Sequence, residues 1–406
     1  MKEKTRYNFL IFACAFLWIM MMGSKNVYTA ELVEIGVVFG VNKAEASLAM
    51  TYYFVTYSIA QIILFFFMDN LNLKWYMLVS IFASGIITVV VAFASGMVAI
   101  WWLLALNGIL QAGVWGMCLA VLKRYLPANL MPKANSVMNV GMSVAAVLSY
   151  SSSAIAVAID RWNLPFIILG AILSLSAIIF FFAVRICEKA GAQTQDCLTQ
   201  TTIDYTPPFS LKTKNGKTIF FVITFAFSLL IHFPYYAVLN WLPSLLTDNF
   251  GIENSTAILV STFAPLATVL GAVFSIRHCE KKDFIKVSIL YLAITTILVL
   301  LLTLVFKLNA ILSIVIVVCL LVVVQGSITI VFSVLSIKMG NFINTGAHAS
   351  LMNAAGGFAA GFAPTIMGAI IDVSGWFTAY ASLFLICLLT LIWLIIIKCN
   401  LYKKKI

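Results

Sequence analysis

Apolar runs about as long as a membrane is thick recur along the whole of this 406-residue chain. A helix needs about 20 predominantly apolar residues to cross the hydrocarbon of a bilayer. We predict twelve spans, at 7–29, 44–67, 75–94, 99–122, 134–157, 164–186, 218–246, 254–276, 285–306, 310–336, 346–370 and 377–398. With only 10% charged residues, the chain has too little charge for the surface of a soluble protein.

The predicted spans must be helices. Backbone groups cannot stay unpaired in lipid, and the strands of a membrane barrel would be about half as long and would alternate in polarity. The first span follows Lys2, Lys4 and Arg6, as a signal peptide would, but Gly23 to Glu31 offers no convincing cleavage site. We therefore expect a mature helix there and an all-α membrane protein with twelve transmembrane helices.

One long polar segment divides the spans into two sets of six. The run from Arg185 to Lys217 carries charges, a Gln/Thr cluster, Pro207-Pro208 and Asn215-Gly216, which are typical of an aqueous, irregular segment. The sequence predicts an N-terminal bundle over 1–186, a cytoplasmic linker over 187–217 and a C-terminal bundle over 218–406.

The distribution of basic residues predicts the orientation. With the amino terminus inside, the predicted cytoplasmic segments hold 21 of the 25 Lys and Arg residues. That bias follows the positive-inside rule, and it explains the net charge of +11 without a nucleic-acid partner. We expect a multi-pass protein of the cell membrane, in contact with the lipid bilayer, with both termini and the linker cytoplasmic.

Cysteines and histidines give no sign of a metal or redox centre. None of the eight cysteines falls in a predicted outside loop, so structural disulfides are not expected. The histidines His232, His278 and His348 are scattered, and no Cys/His pair has the spacing of metal ligands. We expect no metal and no cofactor.

The two sets of spans match each other at an offset of 214 residues. Gln111 then falls on Gln325, Trp162 on Trp376, and the S-x-M-N pattern at Ser136 recurs at Ser350. Gln, Asn and Trp are scarcer than Ala or Leu in so apolar a chain. The matches therefore favour an internal duplication with two parallel six-helix halves.

Six plus six helices with a long central loop and similar halves resemble the major facilitator superfamily over essentially the whole chain. The loop signature of that family, Gly-x-x-x-Asp-Arg, is degraded here to Phe65 to Asn70. More specific are NGILQAGVWGM (Asn107–Met117), SVMNVGMSV (Ser136–Val144) and YYAVLNWLPSLL (Tyr235–Leu246), which resemble the organophosphate antiporter and anion:cation symporter branches. The resemblance implies two pseudo-symmetric bundles and the transport of small organic anions.

Polar side chains spaced three or four residues apart form faces that could line a water-filled cavity. The faces are Tyr53, Tyr57 and Gln61 on the second helix, Asn107, Gln111 and Trp115 on the fourth, Asn139 and Ser143 on the fifth, His232, Tyr236 and Asn240 on the seventh, Gln325, Thr329 and Ser333 on the tenth, and Asn353, Gly357 and Gly361 on the eleventh. The alternative is that these polar groups bond neighbouring helices and the glycines allow close packing.

Lys25 is the sharpest signal of a binding site. It follows an apolar run and shares a helical stripe with Trp18, Met21 and Tyr28. We include Lys25 and Tyr28 among the candidate binding residues. A lysine near the bilayer centre costs about 2.5–3.5 kcal/mol, so it should face water or an anion. The alternative is that the span ends early and Lys25 extends to the outer interface near Glu31 and Glu34.

No Asp or Glu lies deep in a predicted span, and this bears on the substrate. Proton-driven export of cations in the superfamily usually relies on a buried acid, so cation export is disfavoured. The organophosphate antiporters resemble this chain with arginines where Ser24 and Tyr235 stand and a histidine at Met142. Only Lys25 survives of that phosphate cradle, which favours a singly charged or weakly polar solute over a phosphorylated one.

The sequence therefore predicts a secondary transporter, a symporter or antiporter, that moves a small organic solute, expected to be an anion, by alternating access. A monomer is expected. The alternative is a transporter-like sensor that binds a solute and signals through a membrane partner. An enzyme is not expected, because no loop or helix face clusters a nucleophile, a base or metal ligands.

Overall fold

Helices make up the regular structure throughout the described part of the chain. The structure is a computed structural model that describes residues 3–67, 71–190, 214–281, 283–336, 339 and 345–403. The helices are α1 (Glu3–Ala30), α2 (Leu32–Phe39), α3 (Lys43–Phe67), α4 (Leu73–Val91), α5 (Met97–Gln111), α6 (Val114–Tyr125), α7 (Met131–Ala158), α8 (Leu164–Lys189), α9 (Lys214–Phe250), α10 (Asn254–Ser261), α11 (Phe263–Lys281), α12 (Phe284–Val305), α13 (Ala310–Thr329) and α14 (Thr345–Lys403).

The helices confirm the predicted all-α membrane class. Within the described residues, eleven helical stretches are long and apolar enough to cross a membrane. The last of them, Leu351–Cys399, is 49 residues long, about twice what one crossing needs. Gly375 interrupts it with φ 78° and ψ 176°, which a helix cannot accommodate, so this stretch contains the eleventh and twelfth predicted spans.

The helices also break at places that hydropathy did not predict. Gly113 adopts φ 76° and separates α5 from α6 inside the fourth predicted span. A short helix, α2, follows the first span directly, with Glu31 at the turn between α1 and α2. At the end of α13 the chain widens into a π-helical turn, Ile330–Leu335. Such turns are rare and are frequently found at functional sites.

Two compact units share the chain: Met1–Gly40 with Tyr52–Gln200, and Val41–Thr51 with Thr201–Ile406. In the first unit α1 packs on α7 and α8, and α4 packs on α5 and α8. The α4–α8 crossing is close because glycines meet there: a Cβ added at Gly85 would lie 2.6 Å from the carbonyl oxygen of Gly170. Lys74 and Glu188 form an ion pair between the same two helices.

In the second unit α9 packs on α13 and α14, and α12 packs on α13 and α14. The helices α11 and α13 are also in close contact, because a Cβ added at Gly271 would lie 1.8 Å from the carbonyl oxygen of Val322. Only glycine allows two helix backbones to approach so closely, as is common between membrane helices.

The beginning of α3 belongs to the second unit. The Ala44 N–H donates to Asp372 Oδ2 at 3.0 Å, and Thr51 Oγ1 donates to the Gly361 carbonyl oxygen at 2.7 Å. Lys43 Nζ lies 3.1 Å from Asp248 Oδ2. Residues 41–51 therefore group with the later helices, a feature that the predicted boundary of 1–186 did not anticipate.

Most of the predicted linker over 187–217 lies outside the described residues, which resume at 214. Its first residues continue α8 to Lys189, and its last residues begin α9 at Lys214. The bundle boundaries at 186 and 218 stay predictions. So does the duplication, although α1 contacts α7 in the first unit as α9 contacts α14 in the second.

Candidate functional site

Lys25 lies on α1, one turn before the helix ends at Ala30. Its side chain is half-buried, and its Nζ lies 5.5 Å from the centroid of the Phe54 ring on α3. This is a cation–π contact, which is stronger where water is scarce. Neither ion pair in the described part of the chain involves Lys25. The ammonium therefore has an aromatic face beside it and capacity left for an anion.

The aromatic neighbours of Lys25 differ in how accessible they are. Tyr28, one turn further along α1, is buried. Trp115 of α6 is half-buried and packs on Trp18 of α1, with ring centroids 4.8 Å apart. Tyr57 of α3 is half-buried as well and stacks on Tyr53 at 6.0 Å. Tyr57 and Trp115 thus keep exposed ring surface, whereas Tyr28 does not.

Gln111 is the centre of a buried polar network in the first unit. Its side chain is 0% exposed. Its Oε1 accepts a hydrogen bond from the Tyr53 hydroxyl at 2.6 Å. Its Nε2, which has two hydrogens, donates to Ser84 Oγ at 2.9 Å and to Ser24 Oγ at 3.2 Å, and it also lies 3.3 Å from Asn107 Oδ1. One amide therefore connects α1, α3, α4 and α5.

Asn107 completes the network one turn earlier on α5. Its Nδ2 donates to Thr88 Oγ1 at 3.1 Å, and its Oδ1 accepts a further hydrogen bond from the Ser84 hydroxyl. Asn107, Gln111 and Tyr53 are all buried. The predicted shared face of Asn107 and Gln111 is real, but both amides bond neighbouring helices, as the packing alternative expected. Their role in binding a solute stays a prediction.

In the second unit His232 lies at the contact of α9 with α14. It is buried, its Nδ1 lies 2.7 Å from the Ser228 carbonyl oxygen, and its ring stacks on Tyr236. A Cβ added at Gly356 would lie 2.8 Å from His232 Nε2, so glycine leaves the space that the imidazole fills. The Ser228 hydroxyl donates to the Met352 carbonyl oxygen at 3.2 Å, which joins the same two helices.

The remaining candidates of the second unit fall into two groups. Asn240 is buried and donates from Nδ2 to the Tyr236 carbonyl oxygen at 2.6 Å. Tyr236, Gln325 and Asn353 are half-buried. Gln325 makes no side-chain hydrogen bond among the described residues, in contrast to Gln111, its partner in the predicted duplication. A half-buried amide that bonds no described side chain is suited to contact a solute.

The side chain of Asn139 is outside those that the structure describes, although its backbone lies in α7. The prediction that residues of both units border one central cavity stays a prediction.

Glu31 is the residue that the sequence did not predict as part of a site. It is 0% exposed, and neither of its carboxyl oxygens has a hydrogen bond of ordinary geometry among the described residues. The Ser153 hydroxyl on α7 is also buried and lies close enough to the carboxyl group to act on it as a weak hydrogen-bond donor. Burial raises the pKa of Glu31 to about 9, the Ser153 hydroxyl opposes the rise, and the Glu34 carboxylate adds to it. The carboxyl group is therefore neutral at pH 7.

From the sequence, Glu31 was named only as a residue near the outer interface in the alternative placement of Lys25. In the structure the turn between α1 and α2 buries its carboxyl group in the first unit. A buried acid without a partner is rare outside functional sites. The sequence could have indicated a buried Glu31 only through its position, directly after the last residue of α1.

The two glutamines give a direct test of the buried network. Gln111→Ala leaves the buried Tyr53 hydroxyl without its acceptor and removes the amide donor to Ser84 Oγ, which should cost about 1–3 kcal/mol and lower the melting temperature of the purified protein. Gln325→Ala is the matched control and should leave the melting temperature nearly unchanged. Equal losses in the two variants would show that the network does not hold the first unit together.

Comparisons with known proteins agree with this architecture. The sequence profile of the Major Facilitator Superfamily matches residues 11–347. No curated protein matches the sequence at a significant level.

Solved structures with the same fold cover nearly the whole chain. A bacterial homologue of the human lysosomal transporter Spinster, in an inward-facing and unoccupied conformation, is 15% identical with a TM-score of 0.70, covering 98% of this chain and 96% of its own. The nucleoside transporter NupG is 12% identical with a TM-score of 0.70, covering 98% and 99%. The D-xylose–proton symporter is 13% identical with a TM-score of 0.71, covering 96% and 97%. The chain belongs to the Major Facilitator Superfamily and has its twelve-helix fold.

Proposed function

We propose that this protein is a secondary transporter of a small, singly charged organic anion, which Lys25 recognises. The observation that carries the proposal is the Lys25 ammonium on α1, half-buried over the Phe54 ring, with no carboxylate paired to it in the described part of the chain. A charge-assisted hydrogen bond to an anion offsets the cost of removing both groups from water.

The alternative in which Lys25 extends to the outer interface is less well supported. The α1 helix continues past Lys25 to Ala30, and α2 adds two further turns. The ammonium lies beside the ring of the neighbouring α3, and Phe54 is itself buried. A side chain that extends toward water would leave that buried ring behind.

One cation is suited to a monoanion better than to a phosphate dianion. A dianionic phosphate is bound most strongly by forked guanidinium groups, and Ser24 and Tyr235 stand where the organophosphate antiporters have arginines. Ser24 instead accepts a hydrogen bond from Gln111. The motifs shared with the anion-transporting branches support an anion, and the missing arginines support a single charge.

We infer that a proton accompanies the anion and that Glu31 carries it. Its carboxyl group is buried, has no hydrogen bond of ordinary geometry among the described residues, and is neutral at pH 7 because burial raises its pKa to about 9. A monoanion and a proton that cross together move no net charge, so the membrane potential does not oppose uptake.

The buried Glu31 also favours a second candidate, the export of an organic cation in exchange for protons. That mechanism needs an acid in the protein interior, and the structure supplies one. The two candidates differ in the role of Lys25, since a cation gains nothing from an ammonium in its path.

Binding of small ions to the purified protein tests the role of Lys25. We expect one or more of lactate, benzoate and gluconate to raise the melting temperature of the wild type, because a ligand stabilises the state that it binds. Lys25→Ala should abolish the shift without loss of folded protein, and Lys25→Arg should reduce it, because a planar fork replaces a compact charge. Choline is the cationic comparison.

Lys307→Ala is the matched control, because Lys307 also lies over a phenylalanine ring, that of Phe306, but is exposed. It should behave as the wild type does. If Lys25→Ala keeps an anion-induced shift, Lys25 does not recognise the anion. A shift with choline that survives Lys25→Ala would favour cation export.

The raised pKa of Glu31 predicts a pH-dependent stability. Folding raises the pKa from its ordinary 4.5 to about 9, so the folded protein holds the proton more tightly than the unfolded chain. The stabilisation is complete below about pH 4.5 and is lost progressively as the pH rises toward 9. The melting temperature of the wild type should fall over that range.

Glu31→Gln, a neutral side chain of the same shape, should lose this part of the pH dependence while keeping a normal melting temperature at pH 5. It should also uncouple anion uptake into vesicles from a proton gradient. Glu45→Gln, at an exposed position of α3, is the control and should keep the wild-type slope. If Glu31→Gln and the wild type share one pH profile, Glu31 does not carry the proton.

A further inference from the structure

A small apolar cavity lies in the second unit, and its lining includes none of the candidate binding residues. It has a volume of about 70 Å³ and is bordered by the first turns of α9 and α12, the π-helical turn and the last part of α14. A single water needs roughly 10–15 Å³, so the cavity has room for a larger group.

The walls of the cavity have almost no polar groups that are free to bind water. Thr224 and Ser288 bring hydroxyl groups to the lining, but each donates to a backbone carbonyl oxygen one turn earlier, at 2.8 Å. The other walls include Phe220, Val331 and Leu394, which are buried. Apolar cavities of this kind stay dry and take up apolar molecules.

The π-helical turn forms one wall. Ile330, Val331 and Leu335 line the cavity from this turn, where the helix is wider than an ordinary α-helix. On the α9 side, Thr224 Oγ1 lies 3.2 Å from His348 Nε2, which ties the wall to the beginning of α14. The cavity is thus built by fixed helical contacts.

Three lysines lie next to lining residues or one turn from them, on α9, α12 and α14, and all three are at the same end of the bundle. Lys217 lies one turn before Phe220 on the same face of α9, and Lys398 lies one turn after Leu394 on α14. Lys286 follows Ile285 directly on α12. None of the three forms an ion pair within the described part of the chain.

Asp283 is the one carboxylate described at this end of α12, and it already accepts a hydrogen bond. Asp283 Oδ1 accepts a hydrogen bond from the Ile285 N–H at 2.8 Å and so caps the helix. The positive-inside rule places this end of the helices on the cytoplasmic side, where anionic lipids are concentrated. Three lysines therefore lie within one turn of the lining residues, at the end of the helices that this rule assigns to the inner leaflet.

We propose that this cavity holds part of one acyl chain of an anionic phospholipid, whose phosphate group is bound by Lys217, Lys286 and Lys398. The apolar walls accept the chain, and the lysines select the charged headgroup. The lipid stabilises the second unit by linking α9, α12 and α14.

Native mass spectrometry of the purified, delipidated full chain tests the proposal. Phosphatidylglycerol and phosphatidylcholine with identical palmitoyl and oleoyl chains are the probes. Because three lysines attract an anionic headgroup and none of them favours a zwitterionic one, one phosphatidylglycerol should bind at least about tenfold more tightly than phosphatidylcholine. Equal binding of the two lipids would overturn the proposal.

The variants separate the headgroup from the chain. The triple variant Lys217→Gln, Lys286→Gln and Lys398→Gln should lose the preference, while Lys307→Gln should keep it. Val331→Phe fills the cavity and should lose the tightly bound lipid, with Ile223→Phe as the second filling variant should the first fail to fold. Val315→Phe, at a position of α13 that is 51% exposed, is its control.

Glycerol 1-phosphate is the last probe, because it carries the charged phosphate of the headgroup without the acyl chains. It should not displace the bound phosphatidylglycerol. If it does, or if both cavity-filling variants bind the lipid as the wild type does, the acyl chain does not occupy the cavity.

Discussion

Hydrocarbon contains no water, so every polar group in a membrane-spanning bundle needs a partner within the protein. This constraint makes the spans helical. It also explains the network in which the Gln111 amide bonds Ser24, Tyr53 and Ser84 across helix boundaries. Many serine and threonine hydroxyls of the described helices donate to carbonyl oxygens one turn earlier, as Thr224 does. Lys25 and Glu31 are two ionisable groups of the first unit that have no partner of opposite charge in the described part of the chain.

The sequence predicts the spans well because length and hydropathy alone decide whether a helix can cross a bilayer. It does not predict the break at Gly113 or the π-helical turn at Ile330–Leu335, since these depend on backbone conformations that hydropathy does not report. Helical spacing correctly placed Asn107 and Gln111 on one face. Whether that face meets water or another helix depends on residues far away in the chain, such as Ser24, and spacing carries no such information.

The two charged groups of the first unit illustrate the same limit. Lys25 was recognisable because it is a cation at the end of an apolar run, and the structure places it over Phe54. Glu31 has the same kind of position, but a carboxylate just past a span is ordinarily at the interface. Only the turn between α1 and α2 decides that it is buried. Together they give a positive group that suits an anion and a neutral acid that holds a proton.

Proton movement driven by an organic anion tests the central claim most directly. Vesicles containing the purified protein and a trapped pH-sensitive dye are exposed to lactate, benzoate or gluconate with no pH gradient imposed. The account predicts that an anion that binds acidifies the lumen, and that Lys25→Ala and Glu31→Gln each abolish the acidification. The account would be contradicted if no anion changed the lumen pH while choline changed it equally in the wild type and in both variants.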